Sequence, residues 1–240
     1  MVAFATNAQN KMLFDAGNKA YNESNFQEAI SSYERILESG VHSAELYFNL
    51  ANAYYKLNKI APSIYYYEKA LQLSPNDKEI KSNLSFAQNM TIDDIEVIPE
   101  VGISKIFKGF VNILSFDSWA LISVILVILF VVLFLGYYFS QATTKKRIAF
   151  VTSSASLILA VVALFFAFQK YEYDRKDQPA IVFAQETEVK TDPNLRSEVT
   201  FVLHEGTKVQ ILEHYQDNWT KIKLLNGKTG WILNSDIKRL

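Results

Sequence analysis

The sequence predicts a multidomain chain in three parts: all-α helical hairpins, a two-helix transmembrane hairpin, and a small all-β barrel. Three observations predict this. Near its start the chain aligns with itself at an offset of 34 residues. Two long uncharged runs fill its middle. Short β-branched and aromatic runs, broken by turn dipeptides, follow Pro179. The composition agrees once it is divided. Half of the 240 residues are hydrophobic, and the mean hydropathy of +0.04 lies between soluble and membrane proteins. Residues 1–100 carry net charge −5, 101–178 carry +4 and 179–240 carry 0, so the overall −1 describes no part of the molecule. With no basic domain, no nucleic-acid partner is expected. Eight Gly and five Pro argue against disorder, and the lack of Cys excludes disulfides, thiol nucleophiles and Cys-based zinc sites.

Residues 1–9 have Thr6 and Ala8 placed small-x-small before Gln9, like the tail of a secretory signal, but Val2–Ala5 is short for its apolar core. The segment is either a signal-peptide remnant or an ordinary frayed terminus. The repeats follow at 10–43 and 44–77. At offset 34, Asn18 falls on Asn52, Tyr21 on Tyr55, Tyr33 on Tyr67, Glu34 on Glu68 and Leu37 on Leu71. A period of 34 with helical spacing is the tetratricopeptide signature. The second repeat resembles that family through Tyr47, Leu50, Ala51, Tyr54, Ser63, Tyr67, Ala70 and Pro75, the first through Ala16, Gly17, Phe26, Ala29 and Tyr33. Gly17, Ala29, Ala51 and Ser63 let paired helices approach, and Pro75 ends the last one. Residues 78–90 read as a capping helix over the terminal apolar face.

The resemblance implies a concave face lined by the first helix of each repeat. Here it offers Asn18, Tyr21, Asn49, Asn52, Tyr55 and Lys56. Asparagines there either hold the backbone of an extended protein segment or support neighbouring helices. The Lys/Arg positions of the family's carboxylate clamp are occupied by Phe14, Glu79 and Asn83, so that clamp is not expected.

Residues 91–102 form an acidic linker in which Asp93-Asp94, Glu96 and Glu100 read as a solvated tether. In 103–116, Ile103, Ile106, Phe107, Phe110, Ile113 and Leu114 recur at spacings of three and four, with Ser104, Lys105, Lys108 and Asn112 between. This predicts an amphipathic helix, lying in a membrane interface or packed on the soluble part. Residues 118–139 and 148–169 predict transmembrane helices: Trp119–Phe139 reaches roughly 30 Å at about 1.5 Å per residue, the thickness of a bilayer core. The loop 140–147 ends Lys145-Lys146-Arg147, which marks it as cytoplasmic. Both terminal parts then lie outside the cytoplasm. Neither span holds an ionisable residue, so proton relay and ion transport lack carriers.

Residues 180–240 contain five or six short strand-like runs, with Asn226-Gly227 the strongest hairpin dipeptide. Gly206, Val209, Trp219, Ile222, Gly227, Gly230 and Trp231 resemble the bacterial SH3-like (SH3b) domain. Trp219 and Trp231 either pack the barrel or form, with His214 and Tyr215, a candidate groove for a peptide or cell-wall fragment. His42 and His204 read as surface residues. Since no P-loop, GxGxxG, HExxH or GxSxG motif occurs, neither an enzyme nor a metal or other cofactor is expected.

The order of modules, with NLSFAQNMTIDDIEVIP and LHEGTKV, resembles the BatE proteins of the Bacteroidetes aerotolerance (Bat) cluster. That resemblance implies a two-pass inner-membrane protein with both soluble modules in the periplasm. It also implies protein partners, among them other Bat-cluster proteins, von Willebrand A-domain proteins and a MoxR-type ATPase system, in aerotolerance or envelope stress. The expected function is a membrane-anchored scaffold or adaptor. The alternatives are a peptidoglycan-associated anchor for a separate cell-wall enzyme, and an accessory subunit of a transporter or sensor.

Overall fold

The computed structural model describes residues 2–96 and 102–240. The C-terminal half of the acidic linker, including Glu100, lies outside the described residues, as do the side chains of residues 1–7. The chain forms two compact units. One joins the residues before 99 to Gln178–Leu240; the other is the segment between.

The first unit begins with five helices, α1 (Val2–Asn22), α2 (Phe26–Glu38), α3 (Ala44–Lys56), α4 (Ile60–Leu73) and α5 (Lys78–Gln88). Their ends follow local chemistry. The Ser43 hydroxyl accepts from the Leu46 amide, and the Asp77 carboxylate from the Glu79 and Ile80 amides, satisfying helix-start donors. Pro75 stands just beyond α4. Ser24 and Asn58, 34 residues apart, both take positive φ (64° and 54°) in the turn between paired helices. Ala29, Ala51 and Ser63 are fully buried where those helices meet.

The same unit ends in seven antiparallel strands: β1 (Pro179–Val182), β2 (Glu186–Lys190), β3 (Val199–His204), β4 (Lys208–Tyr215), β5 (Trp219–Lys223), β6 (Thr229–Leu233) and β7 (Ile237–Arg239). Their order in the sheet is β3-β2-β6-β5-β4-β1-β7. The expected fold class is present in all its parts. Asn226-Gly227 does sit in the β5–β6 hairpin, as the end of a three-residue loop. The Gly227 amide donates to the Leu224 carbonyl (2.9 Å), the Leu224 amide to the Lys228 carbonyl (2.9 Å), and only Gly227 has positive φ (83°). Strand β7 has no counterpart in the sequence reading: three residues, two of them basic, give no period, and only pairing with β1 makes them a strand.

The helices and the sheet meet across β1. Along β1, Ala180 and Val182 enter the sheet's core with Val209, Ile222 and Ile232. Ile181 and then Phe183 point the other way, into the cluster of Ile64, Tyr65, Ala70 and Leu84. Gly206 (φ 88°) lies so close to α4 that a Cβ there would meet Thr91, Ile60 and Ile64 at 2.8, 2.9 and 3.0 Å. Lys208 pairs with Glu68 (2.8 Å). Lys238 stands 4.4 Å over the Tyr65 ring and 5.6 Å from Phe183; burial lowers its pKa.

This joint corrects the solvated-tether reading of Asp93 and the surface reading of His204. The Asp93 carboxylate accepts from the His204 amide (2.7 Å) and the Thr207 hydroxyl (2.6 Å), and bonds the His204 ring (2.7 Å). Ile95 packs on the sheet's core. Thr91, Asp93 and Ile95 are half-buried while Ile92, Asp94 and Glu96 are exposed, so the segment alternates like a strand laid on the barrel.

The second unit holds α6 (Ile103–Val111), α7 (Phe116–Phe139) and α8 (Thr143–Lys176). Helices α7 and α8 are long and apolar enough to cross a membrane, and their most apolar windows are only 6% and 22% buried. A soluble core helix would be largely covered. Helix α8 outruns its apolar stretch at both ends, taking in the basic triplet and Lys170–Lys176, since Lys and Arg are good helix formers. Its buried face is a seam of small residues, Ser153, Ser156, Ala160, Ala163 and Ala167. The Ser156 hydroxyl donates to the Leu126 carbonyl (2.8 Å) and the Ser123 hydroxyl to the Ala160 carbonyl (3.0 Å). Small residues allow this backbone approach between apolar helices.

Candidate functional site: an asparagine-lined groove and an aromatic sheet face

Helices α1, α3 and α5 line the groove. One bonding pattern recurs there 34 residues apart. Asn18 Oδ1 accepts from the Tyr33 hydroxyl (2.7 Å) and from Asn49 Nδ2 (3.1 Å). Asn52 Oδ1 accepts from the Tyr67 hydroxyl and from Asn83 Nδ2 (3.1 Å). Each tyrosine comes from the second helix of its own repeat and each donor amide from the first helix of the next. The pattern therefore ties successive helices together. Burial pushes the Tyr33 phenol up to about 12, with Tyr21 adding to the rise, and raises Tyr67 likewise. Both hydroxyls remain donors at any physiological pH.

Of the two roles expected for these asparagines, the structure shows the oxygens of Asn18 and Asn52 supporting neighbouring helices. It also adds Asn83, Tyr33 and Tyr67. Asn83 is legible in the sequence as the offset-34 counterpart of Asn49, although it stands where the carboxylate clamp has a basic residue.

Above these bonds lies an open cleft. One cavity of about 290 Å³ is lined by Asn18, Tyr21, Tyr33, Asn49 and Asn52. A second of about 300 Å³ shares Tyr21 and Asn52 and continues to Tyr55, Lys56, Asn83 and Phe86. A third of about 410 Å³ begins at Asn49 and runs past Phe48 to Glu45, Asp77 and Glu79. All six predicted groove residues line this cleft. The amides and phenols suit hydrogen bonding to an extended backbone, with Lys56 and the carboxylates of Glu45, Asp77 and Glu79 also lining the cleft. No nucleophile–base pair is among them.

On the barrel, register decides which aromatic residues meet. Tyr215 pairs with Trp219, and Lys221 with both Glu213 and Trp231. Residues two apart on a strand share a face, so Tyr215, Trp219, Lys221 and Trp231 lie together. Tyr215 and Trp231 touch edge to face at 5.9 Å, and Lys221 stands 5.5 Å over the indole. Trp219 is buried. His214 lies on the other face, its Nδ1 2.8 Å from the Thr220 hydroxyl, which in turn donates to Asn234. The structure thus brings Tyr215 and Trp231 together at an accessible face and sets His214 apart.

Residues 44–77 match the Tetratricopeptide repeat family, and residues 186–238 match the Bacterial SH3 domain family. No curated protein matches the chain. The asparagine-lined groove and the aromatic sheet face therefore belong to a chain that carries a tetratricopeptide repeat and a bacterial SH3 domain on either side of two apolar helices.

Proposed function

We propose that this protein is a non-enzymatic, membrane-anchored adaptor of the bacterial cell envelope, gripping an extended segment of a protein partner in the groove of α1, α3 and α5. The observation that carries this reading is the groove itself, continuous across both repeats, lined by amides whose orientation is fixed by the buried tyrosines. Repeats of this class are protein-interaction modules. The module order shared with BatE proteins supports a role in aerotolerance or envelope stress, beside von Willebrand A-domain proteins and a MoxR-type ATPase system.

The joint between helices and sheet supports the topology. Residues that precede α7 and residues that follow α8 pack into one unit, so the segment between them must cross a membrane an even number of times. Two spans satisfy this, and the basic turn between them favours placing that turn in the cytoplasm and both modules in the periplasm.

The test uses Tyr55 and Lys56, which line the groove and take no part in the bonds of Asn18 and Asn52. Replacing Asn18, Asn49 or Asn52 would break bonds between helices and confuse binding with folding. Tyr55→Phe with Lys56→Ala removes two polar contacts of about 1 kcal/mol each, a loss of at least tenfold in partner affinity. Cross-linked complexes recovered from cells should shrink accordingly. Complexes identical to those of the wild type would refute the reading.

A second reading, a peptidoglycan-associated anchor, is favoured by the accessible Tyr215–Trp231 face with Lys221. The detergent-solubilised full chain should then sediment with purified cell wall, and Trp231→Ala should release it. The full chain is needed because Ile181 and Phe183 belong to the helical core.

A further inference from the structure

Helix α6 presents three different arcs. At about 100° per residue, Phe107 and Val111 fall beside Ile103, Ile106 and Phe110, opposite Ser104, Lys105 and Lys108, and Ile113 follows in the turn after the helix. The first arc is packed. The Phe107 ring lies 6.2 and 6.1 Å from Phe165 and Phe166 of α8. Val111 is fully buried, and its carbonyl accepts the Trp119 indole N–H at 3.0 Å. That bond ties the end of α6 to the first turn of α7, where the apolar run begins.

The second arc is bare. Ile103, Ile106, Phe110 and Ile113 are 85%, 64%, 56% and 64% exposed. Ile103, Ile106 and Phe110, spaced by three and four, form one line along the helix, and Ile113 extends the exposed apolar set into the turn that follows. The third arc is polar and carries two lysines. A water-facing helix has no use for the second arc, and a buried one none for the third. The chain runs from this line into α7, whose most apolar window is only 6% buried, and Trp119, an interface-seeking ring, stands in the first turn of that helix.

We propose that α6 is an in-plane lipid-binding helix. Ile103, Ile106, Phe110 and Ile113 insert among the headgroups and upper acyl chains of the bilayer, while Phe107 and Val111 clamp the helix to the hairpin. The inference rests on the reading that α7 and α8 cross a membrane. Three residues on one line of the helix reach one depth only when its axis lies parallel to the surface, the geometry of amphipathic interfacial helices. The occupant is lipid rather than a second copy or another protein, because the clamp holds the line at the mouth of the spans.

The chain has no Cys, so single cysteines can carry a fluorophore at Ile106, Phe110, Lys105 or Val127 of the full chain in phosphatidylcholine vesicles. A nitroxide near the lipid headgroup should quench Ile106→Cys and Phe110→Cys several-fold more than Lys105→Cys. Aqueous iodide should do the reverse, and a nitroxide near the acyl-chain end should quench Val127→Cys. If Val127→Cys is quenched by lipid but the α6 positions respond to iodide as Lys105→Cys does, the line faces water and the inference falls alone. If neither quencher reaches them, a protein surface covers the line, and it falls as well. If Val127→Cys is not reached by any lipid quencher, the membrane reading fails and takes this inference with it.

Discussion

Asp93 shows how one side chain can decide an arrangement of modules. Burial by itself would raise its pKa, but the bonds from Thr207, the His204 amide and the His204 ring outweigh this and hold the carboxyl below its usual 3.8. A carboxylate with a depressed folded pKa stabilises the fold above its unfolded value. That contribution is lost as pH falls through the folded one. The joint should therefore be intact at neutral pH and loosen below about pH 4, as reported by hydrogen exchange at the His204 amide. Asp93→Ala should loosen it at neutral pH as well. Bonds to a charged group are worth about 1.5–3 kcal/mol each, and partial exposure lets water replace some of them, so a loss of about 2–4 kcal/mol is expected. Unchanged exchange at His204 in this variant would show that the apolar contacts alone hold the joint. Asp93 and His204 are 111 residues apart, so no local pattern announces the pairing. Nor does polarity alternate from Thr91 to Glu96: Ile92 is exposed and Asp93 half-buried, and only the surface against which they dock sorts them.

Single elements were more legible where their causes are local. The paired helices, their caps and the turn at Asn226-Gly227 follow from periodicity, Ser43 and Asp77 as caps, and one glycine. Gly17 was read as a point of close approach, and the structure gives the distance: a Cβ there would sit 2.5 Å from the Tyr33 ring. That ring is buried and its hydroxyl is tied to Asn18, so it has little room to yield. Gly17→Ala should cost about 1–3 kcal/mol by overpacking, measured as a lower unfolding midpoint of the full chain in detergent. A variant as stable as the wild type would mean that α1 and α2 can separate without loss. Elements that owe their form to a neighbour are less legible: β7 is a strand only through its pairing with β1. Strand β1 is legible as an apolar run, and both of its faces are covered, one by the barrel and one by α4 and its cluster. Ser123 and Ser156 lie within the apolar runs, and only the packed pair of helices shows the carbonyls they bond.

At the scale of the whole molecule, one folded unit is built from both ends of the chain, and the apolar helices form an insertion between its parts. Cysteines placed singly at Ser24, Thr143 and Asn226 test this directly. With an impermeant thiol reagent after outer-membrane permeabilisation, positions 24 and 226 should label alike, and position 143 should be protected until the inner membrane is opened. Different labelling at 24 and 226 would contradict the shared unit; the reverse of the whole pattern would move both modules, and any cell-wall role, to the wrong side. Read alone, the residues set the helical repeat, the barrel and the asparagine face through periods of two, three to four and thirty-four, and the two apolar helices through uncharged length. The folded chain settles that the asparagine oxygens are spent on neighbouring helices, that His214 turns away from Tyr215 and Trp231, and that helices and barrel pack against each other across β1. Those outcomes depend on burial and on contacts between residues far apart in sequence, and no local period encodes them.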